Sequence, residues 1–173
     1  MQPDTLENDD QRVFTILERV LFLKEVELFR NVDTECLGVI AEIAREIACN
    51  TGDIIAREGD LGDSLYIIKQ GSLKIIKEKE GKQYLLANHS EGKCFGELGL
   101  FGRTHRTAGA VANEKSVLLE IRKDEFKKVI LTNPEIAYNM LEILSERIRR
   151  MDNEIILLTQ TLGNDLVKDL KKA

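Results

Sequence analysis

The sequence predicts an α+β fold, an antiparallel β-roll of jelly-roll type flanked by N-terminal helices and by one long C-terminal helix. Three observations carry this. Apolar residues recur at helical spacing up to about residue 46, short period-two runs cut by glycines follow as far as Arg122, and helical spacing then returns. The breaks divide the chain into an N-terminal helical segment (1–46), a β-roll (47–122) and C-terminal helices (123–173).

In the first segment Val13, Ile16, Leu17, Val20 and Leu21 stand at i, i+3, i+4, i+7 and i+8, which predicts one buried stripe on an amphipathic helix. A second helix starts at the cap candidate Asp33 or Thr34 and carries Leu37, Ile40, Ala41 and Ala44 on one face, until the pattern fails near Ile47. In the β block, Gly52, Gly59, Gly62, Gly71, Gly81 and Gly92 mark turns. Leu65/Ile67, Leu73/Ile75 and Val117/Leu119/Ile121 alternate at period two and are expected to line the interior of the roll. Lys79-Glu80-Gly81-Lys82 reads as a solvated hairpin tip.

A short helix is expected around Lys123 to Leu131, then a break at Asn133-Pro134, with Asn133 capping a long helix that Pro134 opens. Along that helix Leu141, Leu144, Ile148, Met151, Ile155, Leu158 and Leu162 form an unbroken a/d heptad series. Spacing that regular favours a parallel homodimer through helix 134–162 over its rival, a single helix packed on its own domain. In the dimer, Arg147 at g would reach Asp152 at e of the partner helix. Ile143, Ile156 and Leu157 lie outside the seam and form a second apolar edge that could lean on the β block.

The 173 residues hold 25 Lys and Arg against 30 Asp and Glu, a formal net charge of −5. An acidic surface without a basic arm counts against nucleic acid as a direct partner. The longest apolar runs, such as Val20–Leu23 and Ile155–Leu158, fall far short of the roughly 18 residues of a membrane span. The acidic start, Met1-Gln2-Pro3-Asp4, has no signal-peptide pattern, so a cytoplasmic protein is expected. Cys36, Cys49 and Cys94 are odd in number and widely spaced, with only His89 and His105 to join them. Neither a disulfide framework nor a metal site is spelled out, and three reduced thiols are expected.

One segment carries chemistry: Phe95-Gly96-Glu97-Leu98-Gly99-Leu100-Phe101-Gly102-Arg103-Thr104-His105-Arg106-Thr107-Ala108. Leu98 to Phe101 allow one helical turn whose orphan amides face its start, and Gly96 and Gly99 remove side chains that would keep a ligand away. Arg106 offers a planar fork suited to phosphate, and Thr107 adds a hydroxyl and an amide. Glu97 would repel a phosphate, so it either neutralises the arginine or accepts from hydroxyls such as those of ribose. The residues thus allow two readings, a sugar phosphate bound here or a buried Glu97–Arg106 ion pair without ligand.

Residues 95–108 resemble the phosphate-binding cassette of the cyclic-nucleotide-binding domain family, represented by catabolite activator proteins, protein kinase A regulatory subunits and nucleotide-gated channels. The family pattern is Phe-Gly-Glu, apolar, small, Leu, apolar, a short gap, then Pro-Arg, Ala/Ser/Thr, Ala. Upstream, Gly52-Asp53, Glu58-Gly59-Asp60, Asp63, Tyr66 and Gly71 resemble the family's glycine-marked strand turns, so the likeness covers roughly residues 25 to 160. It implies that Glu97 accepts from the ribose 2′-OH, with the Gly96 and Leu98 backbone beside it. It implies that Arg106 pairs with the cyclic phosphate, helped by the Thr107 and Ala108 amides. Leu86 would lie on the apolar wall of the pocket, and Met151 and Asp152 would cover the base. His105 departs from the pattern by replacing the proline before the arginine, which loosens the loop.

The expected function is that of a sensor domain coupling cyclic-nucleotide binding to rearrangement of the C-terminal helix. Cyclic AMP is the expected ligand and cyclic GMP the rival, since Thr107 discriminates weakly and Asp152 can accept from either base. A ligand-free docking or dimerisation module is the alternative from another class. Catalysis is not expected and no metal or cofactor is implied, because the paired histidines of a cupin and the spacing of nucleotide-hydrolysing or dinucleotide loops are all missing. After Leu162 about a dozen residues remain, too few for a helix-turn-helix. An effector domain or partner protein would attach at a helical end.

Overall fold

The computed structural model describes residues 4–101 and 105–170, with side chains from Val13 to Gln160 within those spans. Among the described residues four α-helices frame eight strands: α1 (Asp4–Glu25), α2 (Thr34–Ile43), α3 (Lys123–Thr132) and α4 (Pro134–Leu170). The strands are β1 (Arg45–Cys49), β2 (Ile54–Ala56), β3 (Ser64–Gln70), β4 (Ser72–Lys79), β5 (Lys82–Ser90), β6 (Cys94–Phe95), β7 (Gly109–Ala112) and β8 (Ser116–Arg122). They form two antiparallel four-stranded sheets, ordered β1-β8-β3-β6 and β2-β7-β4-β5. The fold is the rolled β-domain between helices that the sequence predicts, with the first strand beginning at Arg45 instead of Ile47.

Local chemistry sets the element ends. Asp33 caps α2 by accepting from the Cys36 amide at 2.8 Å, which satisfies one of the orphan donors of the first turn. This bond holds the Asp33 carboxyl below its usual range. Glu80 and Gly81 form the two-residue β4–β5 turn with φ of 55° and 72°, the doubly left-handed geometry that matches strand twist. Asn133 works differently from the expected cap of α4. Its side-chain amide donates back to the Val129 carbonyl at 3.1 Å and to the Thr132 hydroxyl at 3.0 Å, so it closes α3.

In sheet β1-β8-β3-β6 the central strands β8 and β3 are buried on both faces. Ile68, Leu118 and Cys49 point into the roll with Leu73, Ile75, Phe95, Ala108, Ala110 and Ala112. Leu65, Ile67, Leu119 and Ile121 point the other way, into a cluster with Leu23, Phe29, Leu37, Ile40, Phe126, Ile136, Met140 and Ile143 of the helical parts. The Leu65/Ile67 and Leu119/Ile121 sets therefore face the helices and not the roll interior. Period-two alternation cannot distinguish the faces of a strand that is apolar on both.

The helical stripes also need correction. Among the described residues of α1 only Val20 and Leu23 are buried, while Val13, Leu17 and Leu21 are exposed beside Phe14, so three of the five stripe residues face outward. On α4 the inward face is Ile136, Met140 and Ile143. Every described side chain from Ser145 to Gln160 is exposed, including Ile156 and Leu157, so the second apolar edge leans on the domain only at Ile143. Of the heptad series, Leu144 is half-buried and Leu141, Ile148, Met151, Ile155 and Leu158 are exposed, while the side chain of Leu162 lies outside the described residues.

Candidate nucleotide pocket

The cassette is built from two chain segments that meet over β3. In the first, β6 pairs with β3, setting Phe95 opposite Tyr66, and the chain then turns left-handed at Gly96, with φ of 88°, into a 3₁₀ turn over Glu97–Leu100. Close approach fixes the residue types here. A Cβ on Gly96 would stand 1.9 Å from Nη1 of Arg106, and one on Gly99 would stand 3.1 Å from the Gly62 carbonyl oxygen. Lys123, at the start of α3, donates to the Gly99 carbonyl at 2.8 Å and ties the turn to the helices.

The second segment brings Arg106. Its amide donates to the Asp60 carbonyl at 2.7 Å and its carbonyl accepts from the Gly59 amide at 2.9 Å, so the backbone is held by the loop before β3. The guanidinium lies 5.5 Å from the centroids of both the Tyr66 and Phe95 rings, and its Nη2 donates to the Ser64 carbonyl at 2.8 Å. Arg106 is only 7% exposed, yet its Nη1 is buried without a hydrogen-bond partner among the described residues. A buried unpaired donor of this kind is costly, and the residue that carries it also lines a cavity.

That cavity, of about 240 Å³, is lined by Gly96, Glu97, Leu98, Arg106, Thr107, Ala108 and Leu86, with Ile75, Ala87, His89, Cys94, His105 and Arg147 among the other wall residues. The sequence-nominated Gly96, Glu97, Leu98, Leu86, Arg106, Thr107 and Ala108 thus meet in one place, with Leu86 and Leu98 exposed as apolar rim. Thr107 is exposed, and its carbonyl accepts from Lys77 at 2.8 Å. His105 is exposed and forms a β-bridge with Leu61. Burial pushes the His89 imidazole below its ordinary value, against the opposing pull of Glu97.

Glu97 is 9% exposed but does not pair with Arg106. It accepts from Nη1 of Arg147 on α4, at 2.5 Å. The ligand-free reading of the cassette as a buried Glu97–Arg106 pair is thus not what forms: Glu97 bridges to the C-terminal helix, and Arg147 is turned toward its own domain. Met151 and Asp152, expected over the base, are exposed on α4 and are not among the residues lining the cavity. The helix runs unbroken past this point, so neither side chain turns back over the roll. Sequence reasoning missed the role of Arg147. A signal existed, because Ile136, Met140, Ile143 and Arg147 continue one stripe at spacings of four and three. The Arg106 stacking on Tyr66 and Phe95 was also missed.

The Glu97–Arg147 bridge separates this pocket from a second cleft of about 200 Å³ between α4 and the β5–β6 turn, where Glu27, Lys93 and Arg150 meet solvent. Elsewhere, Asp33, Cys36 and Glu135 lie close together, but burial and the two carboxylates push the Cys36 thiol up to about 12, and it donates to Glu135 at 3.4 Å. A protonated thiol serves there as a hydrogen-bond donor. All three cysteines are free thiols.

A roll that presents a buried arginine donor, a glycine-lined turn and a carboxylate in one apolar-rimmed pocket is the architecture of a module that binds an anion bearing hydroxyls. The family model for the cyclic nucleotide-binding domain matches residues 46–133. The chain belongs to the cyclic nucleotide-binding domain family. It is similar to the cyclic AMP receptor protein of Thermus thermophilus, 33% identical over 109 residues that make up 62% of this chain and 50% of that protein. It is also similar to the cAMP-dependent protein kinase regulatory subunit of Blastocladiella emersonii, 27% identical over 70% of this chain and 30% of that protein. The crystal structure of the Thermus thermophilus catabolite activator protein superimposes with a TM-score of 0.69 at 29% identity, covering 77% of this chain and 63% of that one. The chain thus spans half or less of the length of these two curated relatives. Both relatives are named as receptor or regulatory proteins, not enzymes.

Proposed function

We propose that this chain is a cyclic-AMP sensor. The observation that carries the reading is Arg106, whose Nη1 is a buried donor without a partner among the described residues and which lines a pocket together with Glu97. A cyclic phosphate oxygen satisfies that nitrogen, the Gly96, Thr107 and Ala108 amides add donors, and the ribose 2′-OH donates to Glu97. Leu86 and Leu98 flank the sugar and base. Met151 and Asp152 cover the base only if α4 folds toward the roll, so ligand binding is coupled to the position of that helix.

Thermal denaturation with cyclic AMP, cyclic GMP and 5′-AMP tests this. Cyclic AMP at 100 times its dissociation constant stabilises the fold by about 2.7 kcal/mol, which raises Tm by roughly 5–10 °C for a domain of this size. A larger rise with cyclic GMP assigns the cyclic-GMP alternative. No rise with either leaves the ligand-free docking module.

We further propose a parallel homodimer through the exposed Leu141, Ile148, Met151, Ile155 and Leu158 seam of α4. Sedimentation equilibrium at micromolar concentration is expected to give a dimer, and Ile148→Asp a monomer; a wild-type monomer overturns the dimer. Among the described residues no helix is long and apolar enough to cross a membrane. We assign the sensor to the cytoplasm, where its output passes to an effector domain or partner protein joined at a helical end.

A further inference from the structure

We propose that Lys77 and Glu58 are positioning residues of the nucleotide site, an ion pair that turns the Thr107–Ala108 peptide so that its N–H is presented to the phosphate. The inference rests on the cyclic-nucleotide reading of this pocket and adds to it a support that lies outside the pocket. Leu73, Ile75 and Lys77 alternate along β4 and share one face, on which Leu73 and Ile75 are buried in the roll. The pairing of β4 with β7 ends at Ile76 and Gly109, one residue short of Lys77. Beyond that point the Glu58 side chain takes over from the strand, accepting from the Glu78 amide through Oε2 at 2.8 Å. Its Oε1 accepts from Nζ of Lys77 at 2.8 Å, and the same nitrogen donates to the Thr107 carbonyl at 2.8 Å.

The Thr107–Ala108 peptide is trans, so its C=O and N–H point to opposite sides of one plane. With the carbonyl held on Lys77, the Ala108 amide is aimed away from the lysine. Thr107 and Ala108 both line the cavity, whereas Lys77 and Glu58 are not among its lining residues, so the pair acts through the peptide and not on the ligand. The preceding groups are held from the same loop. The Arg106 amide donates to the Asp60 carbonyl and the Arg106 carbonyl accepts from the Gly59 amide, next to Glu58. Residues 58–60 thus fix three successive polar groups of the cassette, the last of them by way of Lys77. Lys77 and the Glu78 amide hold the Glu58 carboxyl below its usual range, so the pair stays ionised at neutral pH. With side chains 45% and 29% exposed, the pair adds little to stability, and its removal registers mainly as a loss of aim.

The test is calorimetry on the full chain and its Lys77→Met, Lys77→Arg, Glu58→Gln and Lys77→Met/Glu58→Gln variants, with cyclic AMP and with the two phosphorothioate diastereomers of cyclic AMP. Lys77→Met keeps the apolar stem and is expected to weaken cyclic-AMP binding about 5- to 30-fold with little change in Tm. Lys77→Arg, which keeps a charged donor for both oxygens, recovers most of the loss. The double variant is expected to bind no more weakly than Lys77→Met, because Glu58 acts through the lysine. The diastereomers differ in which exocyclic oxygen is replaced by sulfur, a poorer acceptor. A misaimed Ala108 amide therefore changes the ratio of their affinities, by about threefold or more in Lys77→Met, whereas general loosening weakens both alike. Unchanged cyclic-AMP affinity in Lys77→Met, a loss that leaves the diastereomer ratio as in the wild type, no recovery by Lys77→Arg, or additive losses in the double variant each overturn the proposal. Wild-type protein that binds no cyclic nucleotide overturns the functional reading and this inference with it; wild-type binding with an unaffected Lys77→Met overturns this inference alone.

Discussion

Arg106→Leu is expected to weaken cyclic-AMP binding by about two to three decades, from loss of a buried charge-assisted contact worth roughly 3 to 5 kcal/mol. Leucine fills much of the space between the Tyr66 and Phe95 rings, so packing is partly retained, but no donor remains for the phosphate. The Ser64 carbonyl, which accepts from Nη2 at 2.8 Å, also loses its partner, at a cost to stability of about 1–3 kcal/mol. Calorimetry on protein shown to be folded by circular dichroism separates the two effects. Arg106→Lys serves as the gentler control, because it keeps the charge without the planar fork and should sit between wild type and leucine. Affinity unchanged in the leucine variant would refute the site.

Gly96→Ala is expected to damage fold and site together. The added methyl would stand 1.9 Å from Nη1 of Arg106 and 2.8 Å from the Ser64 carbonyl oxygen, at a φ of 88° that L-residues rarely adopt. Neither neighbour yields easily. The carbonyl belongs to β3, and the guanidinium is held between two rings and a hydrogen bond. Left-handed strain and overpacking sum to a loss of about 2–4 kcal/mol, with a fall in Tm of roughly 5–15 °C. The surviving folded protein should bind cyclic AMP at least about tenfold more weakly, since Arg106 must shift to make room. Thermal denaturation and calorimetry check both halves, and wild-type values for both would mean that the arginine does not rest on this glycine.

The cassette was legible because its chemistry is unusual for its surroundings. Glycines, one acid and one arginine inside an aliphatic stretch stand out in sequence, and the structure gathers Gly96, Glu97 and Arg106 around one cavity. The helix–roll–helix order was legible from the change of hydrophobic period. The facing of residues was not. Leu65 and Ile68 are equally apolar, and only the packing of helices on one side and the second sheet on the other assigns them. On α1 the five-residue stripe is wider than the groove that receives it, so Val13, Leu17 and Leu21 stay outside. The Glu97–Arg147 bridge joins residues fifty positions apart, and the heptad register of α4 pointed Arg147 toward a second helix instead. Met151 and Asp152 were inferred by analogy of position, and both lie exposed on α4 outside the lining of the cavity.

Four consecutive residues of β3 act as a rack with teeth on two sides. Leu65 and Ile67 mesh with the helices, while Tyr66 lies against the Arg106 guanidinium and Ile68 fills the roll. A slide of this strand along its own axis cannot move one set of teeth without the other. Residues 47–122 are therefore not a separable receptor with helices hung on it: an excised roll would expose Leu65, Ile67, Leu119 and Ile121 to water and lose the alignment that holds Arg106 in place.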